Sequence, residues 1–191
     1  MALLTSSAND AAAAAAALPC PNGPGEPGSA DPALSYREFR TALGSFATGV
    51  TVVTALDLDG KPIGLTVSSF NSVSLAPPLI LWSLSLLSPH FESLRKAARY
   101  AVNVLSAEQQ KLSDRFATRN DDHFADLPQH IGLGGVPLID GCCAWFECVG
   151  EAQYPGGDHI IFVGRVERFA QDTASLPLLF HGARYRALDP R

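Results

Sequence analysis

The stretch that decides the fold is residues 142–169, which read CCAWFECVGEAQYPGGDHIIFVGRVERF. Two runs rich in β-branched and aromatic residues predict strands over residues 142–153 and 158–169, and a Tyr-Pro-Gly-Gly turn joins them. So short a connection makes the two strands antiparallel neighbours, because parallel strands need a crossover of a dozen or more residues. The sequence therefore predicts one long antiparallel hairpin within the fold.

The residues on either side of this hairpin predict further strands that are joined mostly by turns. Helices are expected after the N-cap residues Ser35, Ser88 and Ser106, and the first helix is expected to end at Gly49. Ser106 is expected to form a capping box with Gln109. The other predicted strands are residues 50–55, 63–68, 79–86, 100–105 and 178–185. Because regular helical crossovers are missing, this order favours a closed, mainly antiparallel β-barrel with flanking helices over a doubly wound parallel sheet.

The length of 191 residues suggests one domain and a tail. Residues 1–33 are rich in Ala, Pro, Gly and Ser and cannot bury enough apolar surface to offset their ordering entropy, so we expect them to be disordered and residues 34–191 to form the domain. No basic residue precedes the run of alanines in this tail, so no export signal is predicted and the cytoplasm is the expected location. The longest apolar stretch, residues 79–87, is far shorter than the ~20 residues that span a bilayer, so no membrane association is expected. The net charge of -5 argues against a nucleic-acid partner.

The four cysteines, Cys20, Cys142, Cys143 and Cys148, form neither a CxxC pair nor a metal-binding pattern with the scattered histidines. No metal site and no disulfide framework are expected. Cys142 and Cys143 are expected on opposite faces of a strand, as small apolar side chains.

Hydroxyl groups are unusually dense between two of the predicted strands, over residues 64–74, and continue on the strand that follows. The sequence has no phosphate-binding loop of the G-x-x-x-x-G-K-[ST] type and no G-x-G-x-x-G motif. Short hydroxyl side chains on a rigid strand can hold a phosphate or a sugar chain, and a small residue such as Gly64 lets a flat ring approach the backbone. The same residues also suit an ordinary exposed strand, so the residues alone leave both interpretations open.

Five blocks of sequence, in order, carry a family resemblance. They read FRTALGSFATGVTVVT (39–54), GLTVSSFNSVSLAPP (64–78), NVLSAEQQKLSDRFA (103–117), GDHIIFVGRVERF (157–169) and LLFHGARYRAL (178–188). Together they resemble the flavin reductase family that serves as the small component of two-component monooxygenases. The resemblance covers residues 35–188.

The resemblance implies a split β-barrel of Greek-key-like antiparallel strands, usually a homodimer, that binds FMN or FAD. It implies hydride transfer from NADH or NADPH to the flavin, and delivery of reduced flavin to a partner oxygenase. Three alternatives stay open: a split-barrel flavoprotein that keeps its FMN for electron transfer, a non-enzymatic cofactor- or haem-binding member of the same superfamily, and a pyridoxamine-phosphate oxidase relative. The sequence has no strongly basic phosphate cluster, which speaks against the third alternative.

The family pattern also implies site residues. Flavin contacts are expected at Ile63, Gly64, Thr66, Ser68, Ser69, Ser83, Ser85, Ser88, His90, Arg115, Phe116 and Tyr185. Arg115 would neutralise a phosphate or be a solvated helix cation. His159, at the start of a strand, would lie beside the nicotinamide or be a locally hydrogen-bonded strand residue. Tyr185 would stack near the flavin or pack on the barrel.

Overall fold

The structure is a computed structural model that describes residues 35–119 and 122–188. The expectation of a disordered tail at residues 1–33 lies outside the described residues. No helix in the described ranges has the length and apolar character needed to cross a membrane.

The described residues form three α-helices and twelve β-strands. The helices are α1 (Tyr36–Leu43), α2 (Phe91–Lys96) and α3 (Gln110–Ala117). The strands are β1 (Thr48–Gly49), β2 (Thr51–Leu56), β3 (Pro62–Val67), β4 (Asn71–Leu75), β5 (Pro78–Ser85), β6 (Arg99–Val104), β7 (Gln129–Ile131), β8 (Pro137–Ile139), β9 (Ala144–Gly156), β10 (His159–Gln171), β11 (Leu179–His181) and β12 (Arg184–Arg186).

Seven of these strands make one antiparallel sheet in the order β3-β2-β6-β9-β10-β5-β4. Its longest pair is β9 with β10, which runs from His159 opposite Gly156 to Gln171 opposite Ala144 with two β-bulges. The predicted hairpin is therefore confirmed, and it lies at the centre of the sheet.

The two edges of this sheet are consecutive strands of the chain. Only residues 68–70 connect β3 to β4, and three residues span roughly 10–14 Å even when fully extended. The sheet must therefore curl until its first and last strands meet, which makes the predicted barrel. The junction, formed by residues 68–70 and the facing residue Ser83 of β5, is called the seam below.

The barrel interior is packed with large aromatic side chains. Trp82 of β5 stacks on Phe162 of β10 at 4.4 Å between ring centroids, and Tyr100 of β6 meets Trp82 edge to face at 5.5 Å. All three are almost fully buried, and such pairs add about 0.5–1.5 kcal/mol beyond the burial of their area. This core fixes β5, β6 and β10 relative to one another.

A second core lies between the barrel and the helix α3. Phe116 of α3 is buried against Val52 of β2 and Leu105, and the small β11–β12 sheet covers the same cluster with Phe180. The predicted capping box is confirmed, since Ser106 and Gln109 cap each other's backbone, and it opens a short 3₁₀ turn that leads into α3. The side chains of α3 are thereby held against the outside of the barrel.

Two predicted boundaries are wrong. The first helix ends at Leu43 and not at Gly49, because the chain turns after Gly44 and Thr48–Gly49 pairs with β11. The predicted strand at residues 178–185 is a hairpin of β11 and β12, whose turn places Gly182 and Ala183 at positive φ.

Three further differences concern short segments. Ser88 is not the N-cap of α2; its hydroxyl accepts a hydrogen bond from the His90 N–H, and His90 occupies the N-cap position. Strand β4 was missed because its residues are mostly exposed and polar. Cys142 and Cys143 precede β9 instead of lying on opposite faces of it, and both are buried.

The described cysteines are buried free thiols. Burial raises the pKa of Cys142 and of Cys148 to about 12, and it also raises the pKa of Cys143. Their interpretation as apolar side chains agrees with this burial.

Candidate functional site

A cleft of about 350 Å³ opens beside the seam, where the hydroxyl-rich residues of β3, β5 and their extensions meet the start of β10. Seven of the thirteen predicted site residues line it. The lining consists of Leu65, Thr66, Val67, Ser68, Ser69, Ser83, Leu84, Ser85, Ser88 and His159. The structure thus brings together hydroxyl groups that the sequence places on two separate strands.

The hydroxyls of this cleft differ in what they already bind. Thr66 donates to the carbonyl of Ser113 in α3 at 2.7 Å, and Ser69 is bonded to the backbone of Ser83. In the part of the chain that the structure describes, the hydroxyls of Ser68 and Ser83 make no hydrogen bond. These two groups are therefore available to a ligand.

Two further serines, Ser85 at the end of β5 and Ser88 beyond it, shape the turn into α2. The Ser85 hydroxyl accepts from the Leu87 N–H at 3.2 Å, and the Ser88 hydroxyl accepts from the His90 N–H at 3.3 Å. Each serine keeps its own hydroxyl hydrogen for another acceptor, so both remain potential donors to a ligand in the cleft.

His159 lies in the wall of the cleft, opposite Ser85 in the β5–β10 ladder. Its Nδ1 is 2.7 Å from Oδ1 of Asp158, and this hydrogen bond lowers the pKa of the Asp158 carboxyl. With Nδ1 engaged, Nε2 is the ring nitrogen left for a ligand. The histidine side chain is 42% exposed, so it is accessible from the solvent.

A second compartment of about 200 Å³ adjoins the cleft, and the two share Thr66, Val67 and Ser68. Its other walls are more apolar: Val50, Ser113, Ala117, Phe180 and Tyr185.

Tyr185 is held firmly at this second compartment. Its hydroxyl donates to Oδ1 of Asp114 at 2.6 Å and lies 2.9 Å from the Ser113 hydroxyl. Burial, followed by the hydrogen bond to Asp114, raises the pKa of the phenol. The phenol is thus fixed in place and stays neutral.

Besides Tyr185, five predicted site residues lie away from the cleft lining, and four of them belong to β3 and α3. Ile63 is buried in the barrel core. A Cβ at Gly64 would lie 2.7 Å from Cε1 of Phe116, so the ring that approaches this glycine is Phe116. Arg115 donates to the carbonyls of Asp122 and Ala125 at 3.1 and 2.6 Å, and it thereby secures the segment after α3.

His90 also lies outside the cleft lining, at the N-cap of α2. Burial lowers its pKa, and the nearby His123 lowers it further, while Asp57 acts in the opposite direction. The neutral imidazole is therefore favoured at this position.

Sequence reasoning missed Ser113 and Asp114, which hold Tyr185, and Asp158, which binds His159. All three stand within or beside the quoted blocks. Only the fold pairs α3 with the C-terminal hairpin, so residue order gave no signal for the first two. Within the described ranges no group of three or more metal-ligating side chains is present.

The volume and the lining residues of the cleft suit a flavin. Its volume lies within the range of about 300–1,000 Å³ that is typical of small-molecule sites. A flavin phosphate such as FMN presents carbonyl oxygens and a phosphate that accept hydrogen bonds. The hydroxyls of Ser68 and Ser83 can still donate hydrogen bonds to them. Leu65, which is partly exposed, adds apolar surface for a flat ring.

The comparisons with known proteins agree with one another. The family model of the flavin reductase like domain matches residues 43–189. The FMN reductase (NADH) SmoA of Agrobacterium fabrum is 50% identical over 149 residues, which are 78% of this chain and 84% of that protein. The reductase component of the flavin-dependent trigonelline monooxygenase of Acinetobacter baylyi is 45% identical over 139 residues, which are 73% of this chain and 45% of that protein.

A solved structure gives the same result for the fold. The NADH:FAD oxidoreductase SgcE6 of Streptomyces globisporus, in complex with NAD and FAD fragments, matches with a TM-score of 0.77 and 39% identity. The match covers 81% of this chain and 93% of that one, and the split-barrel class is confirmed. The chain spans less than half the length of two curated relatives it matches, 43% of one from Rhizobium meliloti and 45% of the Acinetobacter protein.

Proposed function

The chain belongs to the flavin reductase like domain family, and we propose that it reduces FMN or FAD with NADH or NADPH. The observation that carries this proposal is the hydroxyl-lined cleft at the seam. Within the described chain, the hydroxyls of Ser68 and Ser83 make no hydrogen bond there, and His159 lies in the wall of the cleft. The relatives named as flavin reductases and reductase components support it.

The reaction requires little acid–base catalysis from the protein. When both cofactors are bound, they supply the hydride transfer from nicotinamide C4 to flavin N5. The chain binds and orients them. Good orientation of two reactants lowers the reaction barrier by about 7–11 kcal/mol. A cleft lined by neutral hydroxyls, with no Lys or Arg among its described lining residues, binds with modest affinity and therefore allows release.

Flavin contacts are proposed for the cleft hydroxyls of Ser68, Ser83, Ser85 and Ser88 as donors, and for Thr66 as an acceptor because its hydrogen goes to the Ser113 carbonyl. His159 is proposed to bind the nicotinamide carboxamide through Nε2, since Asp158 engages Nδ1. Tyr185 is proposed to bound the flavin from the adjoining compartment. Gly64 and Phe116 are proposed to support β3, the strand that carries Thr66 and leads into Ser68.

The proposal extends to partners and location. Reduced flavin is passed to an oxygenase component, which is supported by relatives that are named as reductase components or subunits of flavin-dependent monooxygenases. The active form is a homodimer, supported by the exposed apolar face of α1. The location is the cytoplasm, supported by the three buried free thiols, which suit a reducing compartment.

A steady-state assay that crosses NADH and NADPH with FMN, FAD and riboflavin tests the activity. We expect nicotinamide oxidation that depends on added flavin and saturates with it. Oxidation that needs no added flavin, from protein that stays yellow after dilution, would show a flavoprotein with a fixed FMN instead. Absence of flavin-stimulated oxidation would exclude a reductase.

A further inference from the structure

Ser69 lies where the β4–β5 ladder would continue beyond its first pair. That ladder pairs Asn71 with Leu81, so two residues further along Ser69 faces Ser83. The Ser69 hydroxyl accepts from the Ser83 N–H at 2.9 Å and donates to the Ser83 carbonyl at 3.2 Å. One side chain thus makes both of the bonds that a backbone partner makes in an antiparallel ladder.

These two bonds use the Ser69 hydroxyl. A serine hydroxyl has a single donor hydrogen, and Ser69 gives it to the Ser83 carbonyl, so it has none to donate to a ligand. The hydroxyl of Ser83, by contrast, makes no hydrogen bond to any described residue, and Ser83 lines the cleft. The backbone that Ser69 binds is the backbone that carries this free hydroxyl.

We propose that Ser69 is a positioning residue of the flavin site. It closes the barrel seam and holds Ser83 so that the Ser83 hydroxyl meets the ligand. The identity of the ligand rests on the proposed function, whereas the closing of the seam does not. Ser69 therefore acts on flavin through Ser83 and not by donating to it.

Amide hydrogen exchange of the flavin-free protein tests the seam. Ser69→Ala removes the acceptor of the Ser83 N–H, so exchange at Ser83 should become about tenfold faster or more. Ser69→Thr keeps a hydroxyl and should restore slow exchange, whereas Ser69→Val, of nearly the same shape, should not. Ser72→Ala is the matched control, because Ser72 is an exposed serine of β4 outside the cleft lining and should leave Ser83 unchanged.

A double-mutant cycle tests how Ser69 affects binding. FMN is titrated into the wild type, Ser69→Ala, Ser83→Ala and the double variant. Each single change should raise Kd about fivefold to tenfold, since each removes hydrogen bonding worth about 1 kcal/mol. If Ser69 acts through the Ser83 hydroxyl, the double variant should bind no more weakly than the weaker single variant.

Several results would overturn this inference. Unchanged exchange at Ser83 in Ser69→Ala would mean that the hydroxyl does not close the seam. Multiplied losses of affinity in the double variant would mean that Ser69 contacts the flavin independently. If Ser69→Ala does not fold, the Thr and Val variants decide by the same two measurements. A wild-type protein that binds no FMN would contradict the proposed function and the binding role of Ser69. The exchange comparison would still show whether the Ser69 hydroxyl closes the seam.

Discussion

At Gly64 the space in which a side chain would lie is filled by the ring of Phe116. A Cβ there would also come within 3.3 Å of Phe124, and Phe116 is itself almost fully buried. The ring cannot move aside without disturbing the packing of α3 on the barrel. The glycine therefore fixes the distance between β3, which carries Thr66 and leads into Ser68, and α3.

Gly64→Ala is expected to destabilise the protein by about 1–3 kcal/mol, because overpacking a rigid buried ring forces backbone or side-chain shifts. Chemical denaturation followed by tryptophan fluorescence measures this loss. Gly49→Ala is the control, since nothing lies within 4 Å of a Cβ at Gly49. Equal stability of the two variants would contradict the argument.

His159→Ala is expected to raise the KM for the nicotinamide about tenfold while the KM for flavin stays nearly unchanged. The reason is that the proposed contact of Nε2 is with the nicotinamide alone. Steady-state kinetics with each substrate varied in turn gives both constants. An unchanged KM for the nicotinamide would contradict the proposed contact between His159 and the nicotinamide.

At the scale of elements, one carboxylate joins the main sheet to the β7–β8 hairpin. Glu147 of β9 is bound by both Nε and Nη2 of Arg168 in β10, and it accepts from the N–H of Leu133, which follows β7, at 2.5 Å. Burial opposes its ionisation, but the hydrogen bonds from Arg168 and Leu133 prevail and lower the pKa of Glu147. The ionised carboxylate of Glu147 thus holds the β7–β8 hairpin against the main sheet.

Glu147→Gln is expected to cost about 1–2 kcal/mol near neutral pH, through the loss of charge-assisted hydrogen bonds. A lowered carboxyl pKa stabilises the fold above the unfolded-state value and loses that effect as pH falls through the folded-state value. The difference between wild type and variant should therefore shrink below the ordinary pKa of 4.5. Urea denaturation at a series of pH values measures it.

Glu151→Gln is the control for this experiment, because the Glu151–Arg165 pair is about half-exposed and worth little. If the difference between wild type and Glu147→Gln stayed constant down to acidic pH, the ion pair would not be the source of the stabilisation.

The elements that the sequence predicted well are those with regular apolar patterns. The β9–β10 hairpin and the capping box at Ser106 follow from local residues and were confirmed. The β11–β12 hairpin was missed because its strands have only three residues each, and because Gly182 of its turn donates to the Gly44 carbonyl, a contact distant in sequence. Helix α1 was drawn too long for the same reason.

The cleft was predictable as a segment but not as a set of contacts. Hydroxyl density pointed to residues 64–74, yet nothing local distinguishes Ser68, which is unbonded within the described chain, from Ser69, which bonds to Ser83. That distinction depends on the seam. The seam in turn depends on the sheet order, which places β3 and β4 at opposite edges.

At the scale of the whole molecule, helix α1 leaves an apolar face uncovered. None of its residues is buried, and Tyr36, Phe39 and Leu43 of this helix are each more than half exposed, as is Phe46 just beyond it. An eight-residue helix without tertiary packing is only marginally stable in water. A second copy of the chain that covers this face would account for the pattern.

In the proposed homodimer, Phe39→Glu combined with Leu43→Glu is expected to separate the two copies, because charges would be buried without partners at the contact. Sedimentation velocity at several concentrations reports the change. Leu58→Glu, at an exposed leucine in the β2–β3 turn, serves as the control and should leave the dimer intact. A wild type that is monomeric at all concentrations would refute this use of α1.

The burial of the thiols has a consequence for chemical durability. Reduced flavin that escapes into aerated solution generates hydrogen peroxide, so an enzyme that releases it works beside its own oxidant. Peroxide attacks thiolates, and burial that raises the pKa of Cys142 and Cys148 to about 12 leaves almost none at neutral pH. We expect mass spectrometry after prolonged aerobic turnover to find these cysteines unoxidised, while the same peroxide dose should oxidise them in urea-unfolded protein.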